Sequence, residues 1–201
     1  MKKLADIISH LFHPLLMPLY CMAMIFFNHN YLSIAVRPGL QNLIYVIVFI
    51  TTFLMPSLSA VFLLFRGQVQ SLQMPSREER VLPFIITAIY FFICYYLIRQ
   101  LPLPYMMSAI VRGAVITLVL ALIINFKWKI SIHMVGIGGT IGMLFALSQL
   151  IFANYTIIIM LMLFIAGILG SVRIYSGGHT PAQVYVGFLT GAFVEFVTIY
   201  M

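Results

Sequence analysis

The sequence predicts an all-α integral membrane protein, built as a polytopic bundle of six or seven transmembrane helices. Hydrophobic residues make up 63% of the 201 residues and charged residues only 7%, whereas a soluble domain has about 25% charged residues. Apolar runs long enough to cross a bilayer recur along the whole chain. Because so few polar residues remain for a soluble domain, we expect a single membrane domain over residues 1–201.

Short polar turns separate the apolar runs. An amphipathic lead-in over residues 1–13 is expected to lie in the membrane interface. Pro56 is expected to kink the second span. In the fifth span, Gly138 and Gly142 form a face of small residues that lets another helix approach closely. We predict spans at 14–27, 42–65, 82–98, 106–126, 132–153, 155–170 and 184–200.

The charge balance is strongly basic, with 11 Lys and Arg against 4 Asp and Glu. In a soluble protein this excess would suggest nucleic-acid binding. Here the basic residues lie mostly at span ends, where they anchor the helices or bind anions, so we expect no nucleic-acid partner. Arg112 and Glu195 fall inside predicted spans, where a charged residue is a candidate site residue. Structural contacts or snorkelling are favoured for both over a role in a site.

The cysteines and histidines do not form a metal-binding pattern. Cys21 and Cys94 lie inside apolar runs and are expected to be core residues. No group of residues resembles a zinc or iron–sulfur ligand set. The sequence therefore predicts neither a metal nor another cofactor.

Three polar segments, near 75–83, 127–133 and 171–183, are predicted to meet at one face of the membrane. Two spans separate each segment from the next, and an even number of crossings returns the chain to the same side. The segments carry Arg77 and Arg80, then Lys129, Ser131 and His133, and finally Arg173, His179 and Gln183.

The residue types in these segments favour phosphate chemistry. Arginine provides planar donor forks suited to phosphate oxygens. Two imidazoles beside a cluster of arginines suggest phosphoryl transfer without a metal, in which one histidine attacks phosphorus and the other protonates the leaving oxygen. The arginines would stabilise the charge on the phosphoryl oxygens.

The spacing of the third segment resembles the third signature of the type 2 phosphatidic acid phosphatase superfamily, Ser-Arg-x5-His-x3-Asp. Ser131 and His133 resemble part of the second signature, Pro-Ser-Gly-His, and the stretch from Arg77 to Pro83 is loosely similar to the first, Lys-x6-Arg-Pro. The resemblance covers roughly residues 75–190. The third signature is matched by Arg173, Tyr175, Gly177, His179, Pro181, Val184 and Gly187.

The resemblance implies a role for each matched residue. His179 would be the nucleophile and His133 the general acid. Arg173, with Arg77 or Arg80, would hold the phosphoryl oxygens, and Ser131 would donate to one of them. Lys129 would help to bind the phosphate.

The chain departs from the family pattern at residue 183, where Gln183 replaces the Asp that orients the nucleophile. An amide oxygen can hold the tautomer of His179 but cannot stabilise a positive imidazole. In a serine-protease triad, Asp→Asn lowers the rate on the order of 10⁴-fold. The second signature lacks its Pro and Gly, which are Ile130 and Ile132 here.

The resemblance implies hydrolysis of a phosphate or diphosphate ester on a lipid, through a phosphohistidine intermediate, in a bacterial inner (plasma) membrane. The expected partners are a phosphorylated lipid substrate and membrane lipids, and a homo-oligomer is compatible with the sequence. Two alternatives stay open. One is a catalytically impaired phospholipid-binding or scaffold protein of the same fold. The other is a small transporter, which the few intramembrane charges and the lack of an inverted repeat disfavour.

Overall fold

The protein, described by a computed structural model for residues 2–72, 74 and 76–201, with side chains from Asp6 onward, is an all-α bundle. Met1 and Pro75, which belong to the predicted lead-in and first polar segment, lie outside the described residues. Within those ranges seven helical segments are long and apolar enough to cross a membrane, so the all-α membrane fold is confirmed. These segments are Asp6–Phe27, Pro38–Phe65, Glu78–Arg99, Tyr105–Lys127, Ile132–Leu150, Thr156–Tyr175 and Pro181–Tyr200.

Proline lies in the first turn of several helices, where its missing N–H needs no intrahelical partner. Pro38 begins α4 and Pro181 begins α10. The α-helices are α1 Lys2–Leu11, α2 Met17–Phe27, α3 Tyr31–Ala35, α4 Pro38–Val48, α5 Met55–Phe65, α6 Val81–Arg99, α7 Tyr105–Lys127, α8 Ile132–Leu150, α9 Thr156–Tyr175 and α10 Pro181–Tyr200.

A π-helical segment, Phe49–Leu54, joins α4 to α5 in the second span, where the sequence predicts a kink. Pro56 cannot donate a helical hydrogen bond, and its ring crowds the carbonyl four residues earlier. The Thr51 hydroxyl donates to the Ile47 carbonyl at 2.6 Å. The Thr52 hydroxyl lies 2.9 Å from the carbonyl of Val48. The wider turns therefore accommodate the proline inside a continuous span.

Helix α8 is the centre of the bundle, and α10 packs along it through glycines. In the most apolar 18-residue stretch of α8, 61% of the residues are buried, whereas the corresponding share in the other spans is at most 44%. A Cβ atom on Gly138 would overlap the backbone of Phe188, and one on Gly191 would overlap the carbonyl of Val135. A Cβ atom on Gly142 would likewise overlap the backbone of Ala192 in α10. The two helices therefore run side by side at a separation that only glycine permits.

The sixth and seventh spans are longer at one end than the sequence predicts. Helix α9 continues to Tyr175 instead of residue 170, and α10 begins at Pro181 instead of residue 184. Arginine is a good helix former and is favourable in a last turn, so Arg173 extends α9. The helix ends before Gly177, whose φ of +69° suits glycine.

The fifth span is shorter than predicted, since α8 ends at Leu150 instead of residue 153. Phe152 lies in the turn that follows and has a φ of +50°, which a helix does not allow. Because of this turn, α9 begins at the end of the bundle where α8 finishes. Helix α9 then runs antiparallel to α8, so Arg173 near its C-terminus lies at the end where α8 begins.

We expect Gly191→Ala to lower the free energy of unfolding by roughly 1–3 kcal/mol, because the added methyl group would overlap the Val135 carbonyl. The matched control is Gly167→Ala in α9, where no atom lies within 4 Å of the added Cβ. That change should be neutral or stabilising by up to about 1 kcal/mol. Thermal unfolding in detergent measures both, and equal effects would contradict the packing of α10 through Gly191.

Candidate active site

The three polar segments meet at one end of the bundle, where α6, α8 and α10 begin and α9 ends. The backbone N–H of Ser131 donates to the carbonyl of Gln183 at 3.4 Å. Arg80 Nη1 lies 3.4 Å from the carbonyl of Ile130. A Cβ atom on Gly187 would lie 2.8 Å from the Ser131 carbonyl, so the glycine allows the second and third segments to touch.

Gln183 fixes the orientation and the tautomer of His179. The Gln183 side-chain oxygen Oε1 lies 3.2 Å from the backbone nitrogen of Thr180 and 3.1 Å from Nδ1 of His179. A backbone N–H can only donate, so the amide oxygen faces both groups. Nδ1 of His179 must therefore carry the proton, and Nε2 holds the free lone pair. An imidazole that attacks through Nε2 needs this tautomer.

Gln183 also has a purely structural role at the start of α10. Thr180 is the N-cap, and its hydroxyl accepts the backbone N–H of Gln183 at 3.4 Å. Together with the Gln183 contact to the Thr180 N–H, this forms a capping box, in which Gln is a favoured residue. Capping alone is therefore sufficient to account for an amide at this position.

The surroundings of His179 are buried and positively charged. The side chain is 7% exposed. Burial, and then the charges of Arg80 and Arg173, lower the pKa of His179 from its ordinary value to about 3. Burial and the same two arginines also lower the pKa of Lys129. The imidazole is therefore neutral at physiological pH, in a field that attracts anions.

Two polar groups of the site are buried without a hydrogen-bond partner in the described part of the chain. They are the hydroxyl of Ser131, a residue with no exposed surface, and Nε of Arg173. A Cβ atom on Gly178 would lie 3.3 Å from Arg173 Nη2, so the guanidinium is next to the turn that carries His179. Buried donors normally have partners. Both groups therefore keep an unused donor at the end of the bundle that carries His179.

The structure distinguishes between Arg77 and Arg80, which the sequence analysis left as alternatives for holding the phosphoryl oxygens. The Arg77 side chain is about half exposed and pairs with Glu78 at 2.7 Å. Its Nη1 donates to the Lys127 carbonyl at 2.8 Å. Arg80 is 7% exposed and is the arginine of the pair within electrostatic range of His179. Arg77 therefore ties the first segment to α7, and Arg80 lies at the site.

His133 begins α8 at the same end, but its ring is held by the N-terminal helix. Nε2 of His133 donates to the carbonyl of Ser9 at 3.1 Å, because a carbonyl can only accept. The ring lies edge-on to that of His13, with centroids 5.6 Å apart. Arg173 and His179 are also within electrostatic range of His133. Only Nδ1 of His133 is therefore left to act on a ligand.

Sequence reasoning missed the roles of Ser9, His13 and Asn125. His13 has extended backbone geometry before Pro14 and breaks the chain between α1 and α2, which places its ring against α8. Asn125 is fully buried, and its amide donates to the Arg77 carbonyl at 2.9 Å. A histidine before a proline and an amide inside a span are signals that could have drawn attention to two of these residues.

Within the described ranges there is no group of three or more His, Cys, Asp or Glu side chains that could hold a metal ion. The charged groups within electrostatic range of His179 are instead Arg80, Arg173 and Lys129. Comparison of the chain with protein-family models, with curated proteins and with solved structures gave no match.

The lowered pKa of His179 predicts how stability depends on pH. The folded-state pKa of about 3 lies below the ordinary histidine value of about 6.5. The contribution of the neutral His179 to the free energy of unfolding is therefore complete above pH 6.5, and it is lost as the pH falls towards 3. It should fall by up to about 1.4 kcal/mol per pH unit in this window.

Thermal unfolding in detergent between pH 7 and pH 4.5 measures this effect. Wild-type protein should lose more stability on acidification than His179→Gln, which keeps the other four histidines. Parallel loss in the two proteins would show that His179 is not the group whose protonation opposes folding.

Proposed function

We propose that this protein is a membrane phosphatase or diphosphatase that acts on a phosphorylated lipid through a phosphohistidine intermediate, as its resemblance to the type 2 phosphatidic acid phosphatase superfamily implies. The observation that carries the proposal is the shared Oε1 of Gln183, which directs the lone pair of His179 Nε2 away from the α10 cap. The positive charges of Arg80, Arg173 and Lys129 surround that imidazole.

In the proposed reaction, Nε2 of His179 attacks phosphorus and the bond from phosphorus to the lipid oxygen breaks. His133, protonated on both ring nitrogens once the phosphate anion has bound, gives a proton to that leaving oxygen. Since its Nε2–H is engaged by the Ser9 carbonyl, the transferred proton comes from Nδ1. A water molecule then attacks phosphorus and gives a proton to Nδ1 of His133. The bond from phosphorus to Nε2 of His179 breaks, and inorganic phosphate leaves.

The buried donors that lack a hydrogen-bond partner are suited to binding the phosphate group of the substrate. Ser131 Oγ and Arg173 Nε are buried polar groups that a phosphoryl oxygen would satisfy. The Arg80 and Arg173 guanidinium groups would offset the charge on the oxygens that do not leave. Lys129 adds a positive charge at the same place. No step of this reaction requires a metal.

The seven apolar spans support a lipid substrate in a membrane, which we take to be a bacterial inner (plasma) membrane. Candidate substrates are phosphatidic acid, phosphatidylglycerol phosphate, a polyprenyl diphosphate or another phosphorylated lipid anchor. The surrounding membrane lipids are further partners, and a homo-oligomer would be compatible with this function.

We expect His179→Ala to abolish phosphate release, because no other group holds a free lone pair in its place. The assay follows inorganic phosphate released from each candidate lipid in mixed micelles, with vanadate as an inhibitor. The matched control is His29→Ala in the turn between α2 and α3, which should keep wild-type activity. No release by the wild-type protein from any of these lipids would contradict the catalytic proposal.

A second candidate function is phospholipid binding without catalysis, favoured by the nature of residue 183. The neutral amide of Gln183 orients the His179 ring but cannot stabilise the positive charge that develops during nucleophilic attack. Its position in the capping box gives it a reason to be present without catalysis. A binder of this kind would use the same arginines to hold the phosphate.

Gln183→Asp distinguishes the two functions. In an impaired enzyme the carboxylate should raise kcat by about tenfold or more, since it stabilises the imidazolium that forms. Phosphatidic acid binding to the protein, measured in parallel, should change little. Gln183→Leu is the control, because it removes the contact to His179 and should lower activity. Unchanged binding with no phosphate release from wild type or Gln183→Asp would support the binder.

A further inference from the structure

A separate basic pocket lies at the opposite end of the bundle from His179. Helix α6 begins beside Arg80 and ends at Arg99, so the pocket is one span away from the candidate active site. Its volume is about 450 Å³. The lining residues come from the last turns of α6, the following turn and the first turns of α7, and are Tyr95, Arg99, Leu103, Tyr105, Ser108 and Arg112.

Both guanidinium groups of the pocket are held by neighbouring groups. Arg112 Nη2 donates to the carbonyl of Thr198 at 2.9 Å, and the guanidinium lies 5.3 Å from the ring centre of Tyr105. Arg99 Nη1 lies 3.5 Å from the hydroxyl of Tyr95. Because arginine has five N–H donors, each group keeps several for a ligand. The Tyr95 hydroxyl accepts from Arg99, which leaves its own hydrogen free to donate.

No acidic side chain neutralises this pocket. The chain has only four Asp and Glu. Glu78 and Glu79 precede α6 at the His179 end, and Asp6 is within electrostatic range of Arg173 at that same end. Glu195 is 4% exposed inside the bundle, and its carboxyl group lies against Gly113 of α7 but makes no ion pair with the neighbouring Arg112. The single ion pair among the described residues joins Arg77 to Glu78, so neither Arg99 nor Arg112 has a carboxylate partner there.

We propose that this pocket binds a phosphate-bearing anion at the membrane face opposite the candidate active site. The anion is either the phosphodiester of an anionic phospholipid or free phosphate. Two arginine forks match the oxygens of a phosphate group, and the tyrosine hydroxyl adds a donor. Arginine clusters at the ends of spans attract anionic headgroups for the same reason. The proposal does not depend on the function of the His179 site.

The experiment measures phosphatidylglycerol bound to the purified, delipidated protein by native mass spectrometry, with phosphatidylcholine as the neutral comparison. Arg99→Gln should weaken phosphatidylglycerol binding about fivefold, the factor that corresponds to about 1 kcal/mol for one arginine near a membrane surface. Arg112→Gln should act in the same direction. Because Arg112 also caps α10 through Thr198, the exposed Arg99 provides the safer variant.

The matched control is Arg37→Gln, which removes an exposed arginine from the same end of the bundle but not from the pocket lining. It should leave binding unchanged. If millimolar inorganic phosphate displaces the lipid from wild type and stabilises wild type against heat more than it stabilises Arg99→Gln, free phosphate is a sufficient ligand. If wild type keeps its lipid and gains no more stability than Arg99→Gln, the lipid headgroup is the ligand. Equal lipid binding by wild type, Arg99→Gln and Arg112→Gln would overturn the proposal.

Discussion

The close approach of α8 and α10 is the constraint on which the rest of the structure depends. The backbones meet where Gly138 and Gly142 of α8 face α10 and where Gly191 of α10 faces α8. Apolar surface gives helices little reason to associate in lipid, so van der Waals contact between closely packed backbones supplies much of the stabilisation. The same contact aligns the first turns of the two helices, and these turns carry the second and third polar segments.

Local structure at the start of α10 then determines which atoms of His179 are available. One amide oxygen of Gln183 accepts hydrogen bonds from both the Thr180 N–H and the Nδ1–H of His179. Helix capping and imidazole orientation are therefore a single arrangement. A change that moves the cap of α10 would therefore also move the His179 ring.

The sequence was sufficient to predict the fold class, since long apolar runs in a chain with few charges allow little except membrane helices. It also located most span ends within a few residues, but the first span begins at Asp6 instead of residue 14, and polar residues continue α9 past residue 170 to Tyr175. Polar side chains at a membrane boundary are compatible with either a helix or a turn, so their pattern does not decide between the two.

The side-chain contacts of the site were harder to predict. The choice between Arg77 and Arg80 depends on which guanidinium points towards the bundle at the 3-10 turn Glu78–Arg80, which precedes α6. The bond from His133 to Ser9 joins residues 124 positions apart, and no local pattern encodes such a contact. These details follow from tertiary packing, so spacing alone indicated three segments that lie at one end of the bundle but not the contacts within them.

The neutral side chain of Gln183 has a consequence for the electrostatics at the start of α10. A carboxylate there would offset part of the positive potential of the helix N-terminus and of the neighbouring guanidinium groups. The neutral amide does not reduce that positive potential. A phosphate dianion bound there would therefore be held more tightly before any reaction. Tighter binding of this ground state does not raise the rate, because only contacts that strengthen in the transition state do so.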